Sequence, residues 1–294
     1  MSVVLPRLLG VLFLSCAWWY GFTTDGQLRL GGTSVEDPLL LTVYVLSVGQ
    51  GDAIHLRTPG GVDVLIDTGR DARVLEELGR TLPLSDRVVE HLVLTHPDAD
   101  HIGGVPFVFE HYEVDAVYST SDRGSSGLAD LVWMLAHEQA GSSSLLMRGD
   151  SIQLSKDVEV VVLWPQMGDA HSGNDDSIVL RAVAGRSHLL FTGDIERPTE
   201  DALLGLQDEA RYSLQSDVLK VAHHGSVSSS SSSFLQAVLP TYSVISAGLE
   251  NAYGHPHDRT VSELHRYSSS VLRTDLDGSI RCVVHESGVM CEPV

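Results

Sequence analysis

The densest chemical signal in the chain is Thr95-His96-Pro97-Asp98-Ala99-Asp100-His101-Ile102-Gly103-Gly104, directly after the apolar run Leu92-Val93-Leu94. Two imidazoles and two carboxylates, His96, Asp98, Asp100 and His101, fall within six residues. A loop leaving a buried strand can aim such groups at one point. The mixed nitrogen and oxygen donors suit Zn²⁺, Mn²⁺ or iron better than Ca²⁺. A divalent ion held there lowers the pKa of bound water towards neutrality, giving hydroxide, while a second ion polarises an ester oxygen. Asp100 sits between ligands and is the residue expected both to bind metal and to orient the attacking hydroxide.

Four further segments repeat the pattern of a short apolar run followed by a chemically active residue. Val64-Leu65-Ile66-Asp67-Thr68-Gly69 ends in a carboxylate and a turn glycine, and Leu190-Phe191-Thr192-Gly193-Asp194 places a carboxylate where it can bridge two metals. Leu219-Lys220-Val221-Ala222-His223-His224-Gly225-Ser226 carries adjacent histidines, and Asn251-Ala252-Tyr253-Gly254-His255-Pro256-His257 follows the run ending at Ser246. Six of the 14 histidines therefore lie in three segments, each just beyond an expected strand. Backbone amides around Gly225-Ser226, with Ser177, Asn251 and Tyr253, are candidates to hold a phosphoryl or carbonyl oxygen as charge develops. Strand alternation leaves Lys220 divided between facing the site and a structural place at a strand edge.

The elements that must position these groups are short and β-branched. Strands are expected at Leu41 to Val48, Ala53 to Leu56, Val62 to Ile66, Val88 to Leu94, Val158 to Leu163, Ile178 to Val183, Leu189 to Thr192, Val218 to Ala222 and Tyr242 to Ser246. Helix-period segments run over Ala72 to Leu82, Leu128 to Gln139, Thr199 to Leu206, Phe234 to Val238 and Thr260 to Tyr267. Strand-rich blocks in two halves with interspersed helices indicate a sandwich of sheets flanked by helices rather than one parallel sheet. The serine run Ser228 to Ser233 reads as a flexible loop whose serine caps the next helix.

Composition sets outer limits. The chain has 294 residues with 43% apolar and 6% aromatic content, which fits a globular fold and excludes disorder, collagen and a multi-span membrane protein. Its 19 basic against 39 acidic residues give a net charge of −20, a surface that repels nucleic-acid backbones unless a basic patch or bridging metal intervenes. Such acidity also fits a salty habitat. Leu8 to Phe22, after Arg7, is too short for a comfortable membrane span and fits an export signal over residues 1–23, with an uncleaved anchor as the alternative. Phe13-Leu14-Ser15-Cys16 loosely resembles a lipobox. Cys282 and Cys291 sit at the two ends of an expected C-terminal hairpin, where they either pair or remain buried thiols.

Taken in order, these motifs resemble the metallo-β-lactamase fold superfamily, whose signature loop is His-x-His-x-Asp-His. They are most like the branch typified by the C-terminal domain of ComEC-type competence proteins. That branch has aspartate at the second histidine position, as Asp98 here. It also shows Val-Gly-Gln-Gly-Asp (Val48 to Asp52), Asn-x-x-Ser (Asn174 to Ser177), Thr-Gly-Asp, His-His-Gly-Ser and Tyr-Gly-His-Pro in this order. The resemblance spans Leu41 to about Leu264 and implies an α/β fold, a four-layer αββα sandwich over residues 37–294, with the active site at one edge of the two sheets. It implies a detached, exported hydrolase domain without a membrane channel domain. It assigns His96, Asp98, Asp100 and His101 to the metal site, Asp194 as bridging carboxylate and His224 as the last histidine, with His223 beside it. Asp67, Asn174, Ser177, Ser226, Asn251, Tyr253 and His255 are then supporting or substrate-binding residues. The usual third-motif histidine is replaced by Gly173-Asn174-Asp175-Asp176-Ser177. That leaves open a single metal, a carboxylate-rich Mn²⁺ pair, or closure by His255; the cofactor is one or two divalent ions, Mn²⁺ or Zn²⁺.

The expected activity is metal-dependent hydrolysis of a phosphodiester, DNA or a smaller compound, outside the cytoplasm. Transient membrane association through the N-terminus goes with an anchor. Hydrolysis of a small exported ester, lactone or lactam is the second reading, although Asp98 makes the site harder and counts against a β-lactamase. A non-catalytic binding module is the third, and the intact Asp100 and Asp194 weigh against it.

Overall fold

Residues 37–166, 173–206 and 210–294 are described by a computed structural model, and the N-terminal run with Cys16 lies outside them. An eight-stranded sheet contains β1 (Leu39–Val45), β2 (Ile54–Arg57), β3 (Asp63–Ile66), β4 (Val88–Val93), β5 (Glu113–Ser119), β6 (Ser142–Leu145) and the hairpin β14 (Ile280–His285) and β15 (Gly288–Pro293). Its order is β15-β14-β1-β2-β3-β4-β5-β6. The seven-stranded second sheet contains β7 (Ser151–Ser155), β8 (Val158–Trp164), β9 (Val179–Ala184), β10 (Ser187–Phe191), β11 (Val218–Lys220), β12 (Tyr242–Ile245) and β13 (Ser270–Arg273), in the order β13-β12-β11-β10-β9-β8-β7.

Side chains alternate across each strand, so each sheet has two faces to cover. Leu41, Val43 and Val45 of the first sheet meet Val158, Val160, Val162, Leu189 and Phe191 of the second in one apolar layer. The opposite face of the first sheet, with Leu65 and Leu92, packs on helices α1 (Arg73–Thr81), α3 (Val105–His111) and α4 (Gly127–Gln139). The outer face of the second, with Val161, Leu163 and Leu190, packs on α5 (Arg197–Gly205), α6 (Ser232–Val238) and α7 (Asp258–Tyr267). Three apolar layers between four layers of structure make the αββα sandwich expected from the motifs. Strands β5, β6, β7 and β13 and helix α3 were not anticipated. β6 reads Ser-Ser-Ser-Leu, an edge strand with every residue exposed, so no buried face marks it in the sequence. No helix among the described residues is long and apolar enough to cross a membrane.

Both sheets have a parallel half. β3 to β6 run parallel in the first and β10 to β13 in the second, joined by helical crossovers. The carboxyl ends of parallel strands share one edge, the usual location of ligand sites in such sheets.

Cys282 lies directly opposite Cys291 in the terminal hairpin and the two form a disulfide, so the free-thiol alternative falls away. The serine run is also better tied than expected. Ser231 caps α6 by accepting from the Phe234 amide, but Ser229 and Ser230 are buried, and Ser229 Oγ donates to the Ile195 carbonyl at 2.7 Å. The fully buried Glu200 carboxylate accepts the amides of Ser230 and Ser231. Glu200→Ala strands both amides away from water. It is expected to cost about 2–6 kcal/mol in urea unfolding, at about 1–3 kcal/mol for each unsatisfied group. A change within ~0.5 kcal/mol would show that the loop is held by other contacts.

Candidate metal centre

Each cluster residue sits just past the end of a parallel strand. Asp67 follows β3, His96 to His101 follow β4, Asp194 follows β10, His223 and His224 follow β11, and His255 is carried by the loop after β12. Ala99–Ile102 forms a short helix, α2, which turns His101 inward and leaves Asp98 at its cap. His223 and His224 both have left-handed backbone, with φ of 49° and 52°. This costs roughly 1–2 kcal/mol per residue. Bonds from the His223 amide to the Gly193 carbonyl at 3.1 Å and from the Ser226 amide to the His223 carbonyl at 2.8 Å offset it. The turn lets two adjacent imidazoles reach the same edge.

The orientation of the imidazoles follows from their outer partners. Asp67 accepts from the Thr95 amide at 2.8 Å, from Thr95 Oγ1 at 2.6 Å and from His101 Nδ1 at 2.8 Å. Thr95 spends its only proton on Asp67, so at the 3.0 Å contact His96 Nδ1 is the donor. His224 Nδ1 donates to the Ser246 carbonyl at 3.0 Å. In all three rings Nδ1 therefore carries a proton and Nε2 faces inward, the arrangement that metal-ligating histidines adopt. His96 Nε2, His101 Nε2, His224 Nε2 and Asp194 Oδ1 are buried and have no hydrogen-bond partner. Asp194 Oδ2 lies 3.3 Å from His101 Nε2 and 3.2 Å from His224 Nε2.

Four inward-facing orphan atoms are costly unless something binds them. Ligand atoms of His96, His101 and Asp194 lie within 4.8 Å of one another, as do those of Asp100, His101 and His224. The donor set of three imidazoles and two carboxylates fits a divalent transition ion. Asp52 and Asp67 also fall in such groups, but Asp67 is occupied by Thr95 and His101, and Asp52 Oδ2 by Lys220.

Asp98 stands apart. Its side chain is 56% exposed and 3.8 Å from His96 Nε2, outside the converging groups, so the structure leaves it at the rim rather than among them. Asp98, Asp100, Asp194, His223, His224, Tyr253, His255 and Gln50 surround a small open pocket of about 80 Å³. His223 points Nδ1 at Glu196 Oε1, 3.2 Å away, and Ser228 Oγ donates to the same oxygen at 2.9 Å. Glu196 had no motif to reveal it.

Several supporting residues act on backbone instead of facing the pocket. Asn251 Oδ1 accepts from the Tyr253 and His255 amides, and its Nδ2 donates to the Gly248 and His255 carbonyls, so it shapes the loop that presents Tyr253 and His255. With its amide spent on that loop, it has no donor left for a substrate oxygen. Ser177 Oγ accepts from the Asp194 amide at 3.2 Å and positions that residue. Ser226 Oγ bonds Ser228 Oγ, and Asn174 contributes its carbonyl to the Ser177 amide within the 3-10 turn Gly173–Asp176.

Lys220, the last residue of β11, takes the structural of the two places and does not line the pocket. It is 1% exposed between the sheets, and Nζ reaches Asp52 Oδ2 at 2.5 Å and the Val221 carbonyl at 3.0 Å. Asp52 Oδ1 lies 3.3 Å from His224 Nδ1, which makes Asp52 and Lys220 supports of that ligand. Gly51, at φ 125°, lets the preceding loop pass so near α2 that a Cβ would stand 2.0 Å from the Asp100 carbonyl.

Charge ties the cluster together. Burial disfavours protonated histidine, but Asp194 and Asp67 raise His101 well above its ordinary value, and Asp194, Asp100 and Asp52 do so for His224. Burial, with the neighbouring His101 charge, pushes His96 down to about 3. Burial likewise opposes ionisation of Asp100, yet His224, whose Nε2 lies 3.5 Å away, and the charge of His101 hold it at about 2. The raised histidines stabilise the metal-free fold below their unfolded pKa near 6.5, and this is lost as pH rises through their folded values. A metal replaces those protons. The gain in Tm on adding Mn²⁺ is therefore expected to grow between about pH 6 and about pH 8.5; a gain that shrinks with pH in thermal scans would contradict the ligand assignment.

The chain matches the metallo-beta-lactamase superfamily over residues 46–248. It is 33% identical over 256 residues to ComE operon protein 3 of Bacillus subtilis (strain 168), covering 81% of this chain and 32% of that protein. It is 32% identical over 253 residues to Competence protein ComA of Neisseria gonorrhoeae, covering 85% and 33%. Both are ComEC-type competence proteins, and the chain spans about a third of their length. Among solved structures, the metallo-beta-lactamase fold protein YhfI from Bacillus subtilis superposes with a TM-score of 0.53 at 12% identity over 81% of this chain and 96% of that one. CmlA, a diiron beta-hydroxylase from Streptomyces venezuelae, gives 0.55 at 14% identity over 84% and 54%. At such identities the likeness is of fold alone. Sequence match, sandwich architecture and a histidine-aspartate cluster at the shared sheet edge agree, and the chain belongs to the metallo-beta-lactamase superfamily.

Proposed function

We propose that the chain is a metal-dependent phosphodiesterase that cleaves DNA or a smaller phosphodiester outside the cytoplasm. The observation that carries the reading is the convergence of three unpartnered Nε2 atoms and the Asp194 carboxylate beneath an open, polar pocket. His96, Asp100, His101, Asp194 and His224 would hold one or two ions, Mn²⁺ or Zn²⁺. The metal supplies Lewis acidity and an acidified water for attack on phosphorus. Asp67, Thr95 and the Ser246 carbonyl keep the three imidazoles in the ligating tautomer. Asp100, held near 2, stays ionised and orients the water by accepting its hydrogen bond at a carboxylate oxygen. Ser177 fixes the Asp194 backbone. Tyr253 and His255, on the loop that Asn251 shapes, flank the substrate.

DNA is brought forward by the relatives, whose names are those of competence and recombination proteins. The apolar N-terminal run supports export, with transient membrane attachment where the run is retained. A second reading, hydrolysis of a small ester or lactone, is favoured by one feature: among the described residues no lysine or arginine lines the pocket of about 80 Å³.

The test uses the full chain loaded with Mn²⁺ or Zn²⁺, wild type against Asp100→Ala, on a chromogenic phosphodiester and on linear single-stranded DNA. Turnover of both is expected, falling ~10²-fold or more in the variant. Turnover of the small diester alone would restrict the substrate to small phosphodiesters. No turnover of either by folded, metal-loaded protein would overturn the phosphodiesterase reading in favour of esters or lactones.

A further inference from the structure

A second polar cavity opens where β10 and β11 begin, at the opposite end of those strands from the metal cluster. It has a volume of about 260 Å³ and is lined by Arg181, Arg186, His188, Gln215, Ser216, Asp217 and Leu239. Arg181 lies within β9, between Leu180 and Ala182, which face the other sheet, so it projects from the outer face. The residue is 5% exposed. Its Nη2 donates to the Gln215 carbonyl at 3.1 Å, and its Nε, also buried, has no hydrogen-bond partner.

A buried guanidinium is expensive to desolvate and keeps its charge, so an unpaired donor on it calls for an acceptor. The local acid acts on Arg181 through its charge and does not hydrogen-bond to Nε; Asp217 Oδ2 accepts from the His188 amide at 2.8 Å. Arg186, exposed on the β9–β10 turn, supplies a second guanidinium to the same cavity. His188 sits beside them; burial and the Arg181 charge hold its imidazole below its ordinary value, so it offers a neutral polar ring. Two guanidinium groups against one carboxylate leave the cavity positive in a chain whose net charge is −20. The planar guanidinium fork matches oxyanions, and two of them suit the higher charge and three-oxygen face of phosphate better than a carboxylate.

We propose that this cavity is a binding site for the phosphate group of a small ligand, held by Arg181 and Arg186 and separate from the metal centre. The site does not depend on the phosphodiesterase reading: it uses no metal ligand and lies at the opposite end of β10 and β11 from the cluster.

The test is isothermal titration of the full, metal-loaded chain with inorganic phosphate, glycerol phosphate and acetate at constant ionic strength. Wild type, Arg186→Ala and Arg181→Met are compared, with the Arg181 Nε–H resonance followed in ¹⁵N spectra of the wild type. Saturable phosphate binding that moves this resonance, weakened about tenfold by Arg186→Ala and lost in Arg181→Met, supports the site. Arg186 is exposed, so that variant decides the matter if Arg181→Met fails to fold. Absence of saturable binding, affinity unchanged in Arg186→Ala, or a resonance that stays in place while phosphate binds would overturn it. Equal affinity for acetate would overturn the assignment to phosphate.

Discussion

Asp194→Asn is expected to abolish metal retention and to lower turnover by ~10³-fold or more, because several kcal/mol of transition-state stabilisation depart with the metal. The carboxylate reaches across the edge between the sheets. Oδ2 is 3.3 Å from His101 Nε2 and 3.2 Å from His224 Nε2, while Oδ1 is buried and unpartnered. Asparagine keeps the shape but replaces one oxygen with an amide nitrogen that cannot ligate, and removes the charge that draws a cation in. In the metal-free protein the same charge raises His101 and His224 and is itself held well below the ordinary carboxylate range by them, after opposing its burial. The variant should therefore also lose much of the pH dependence of metal-free stability above about pH 6.5. Metal analysis after dialysis, with diester hydrolysis on the same sample, checks both parts. Stoichiometric metal at wild-type turnover would remove Asp194 from the site.

Lys220→Met is expected to destabilise the fold by about 3–5 kcal/mol, the usual consequence of leaving a buried charge without its partner. Asp52 and Lys220 are each 1% exposed and joined at 2.5 Å across the two sheets. Methionine fills a similar volume, so the loss reflects the abandoned carboxylate rather than a cavity. The double variant Asp52→Asn with Lys220→Met should recover most of that stability, since neither charge remains, while still weakening metal affinity because Asp52 no longer supports His224. Urea unfolding of both single variants and the double variant forms a cycle whose coupling is expected to exceed 1 kcal/mol. Additive effects would show that the two residues act independently.

Much of this protein is determined by local sequence. Apolar β-branched runs such as Val158 to Leu163 become strands buried on both faces, and the amphipathic segment Ala72 to Leu82 becomes α1 by covering one of those faces. The His96 to His101 loop announces metal chemistry because ligands so close in sequence need only one turn to converge. The hairpin cysteines pair because strand register sets them face to face.

Other decisions belong to the tertiary structure. Strands β6 and β13 carry little periodic signal, and their neighbours in the sheet define them. Asp98 and Asp100 are two residues apart and chemically alike, yet the α2 turn brings only Asp100 among the convergent ligands. Asn251, a supporting or substrate-binding candidate in the sequence, organises its loop, because its amide is bonded to four backbone groups. Lys220 could not be assigned from alternation, since its partner is 168 residues away. The physical reason is common to these cases. Periodicity and spacing report which face a residue occupies, whereas the choice of partner on that face depends on contacts between distant segments that exist only after the sheets have stacked.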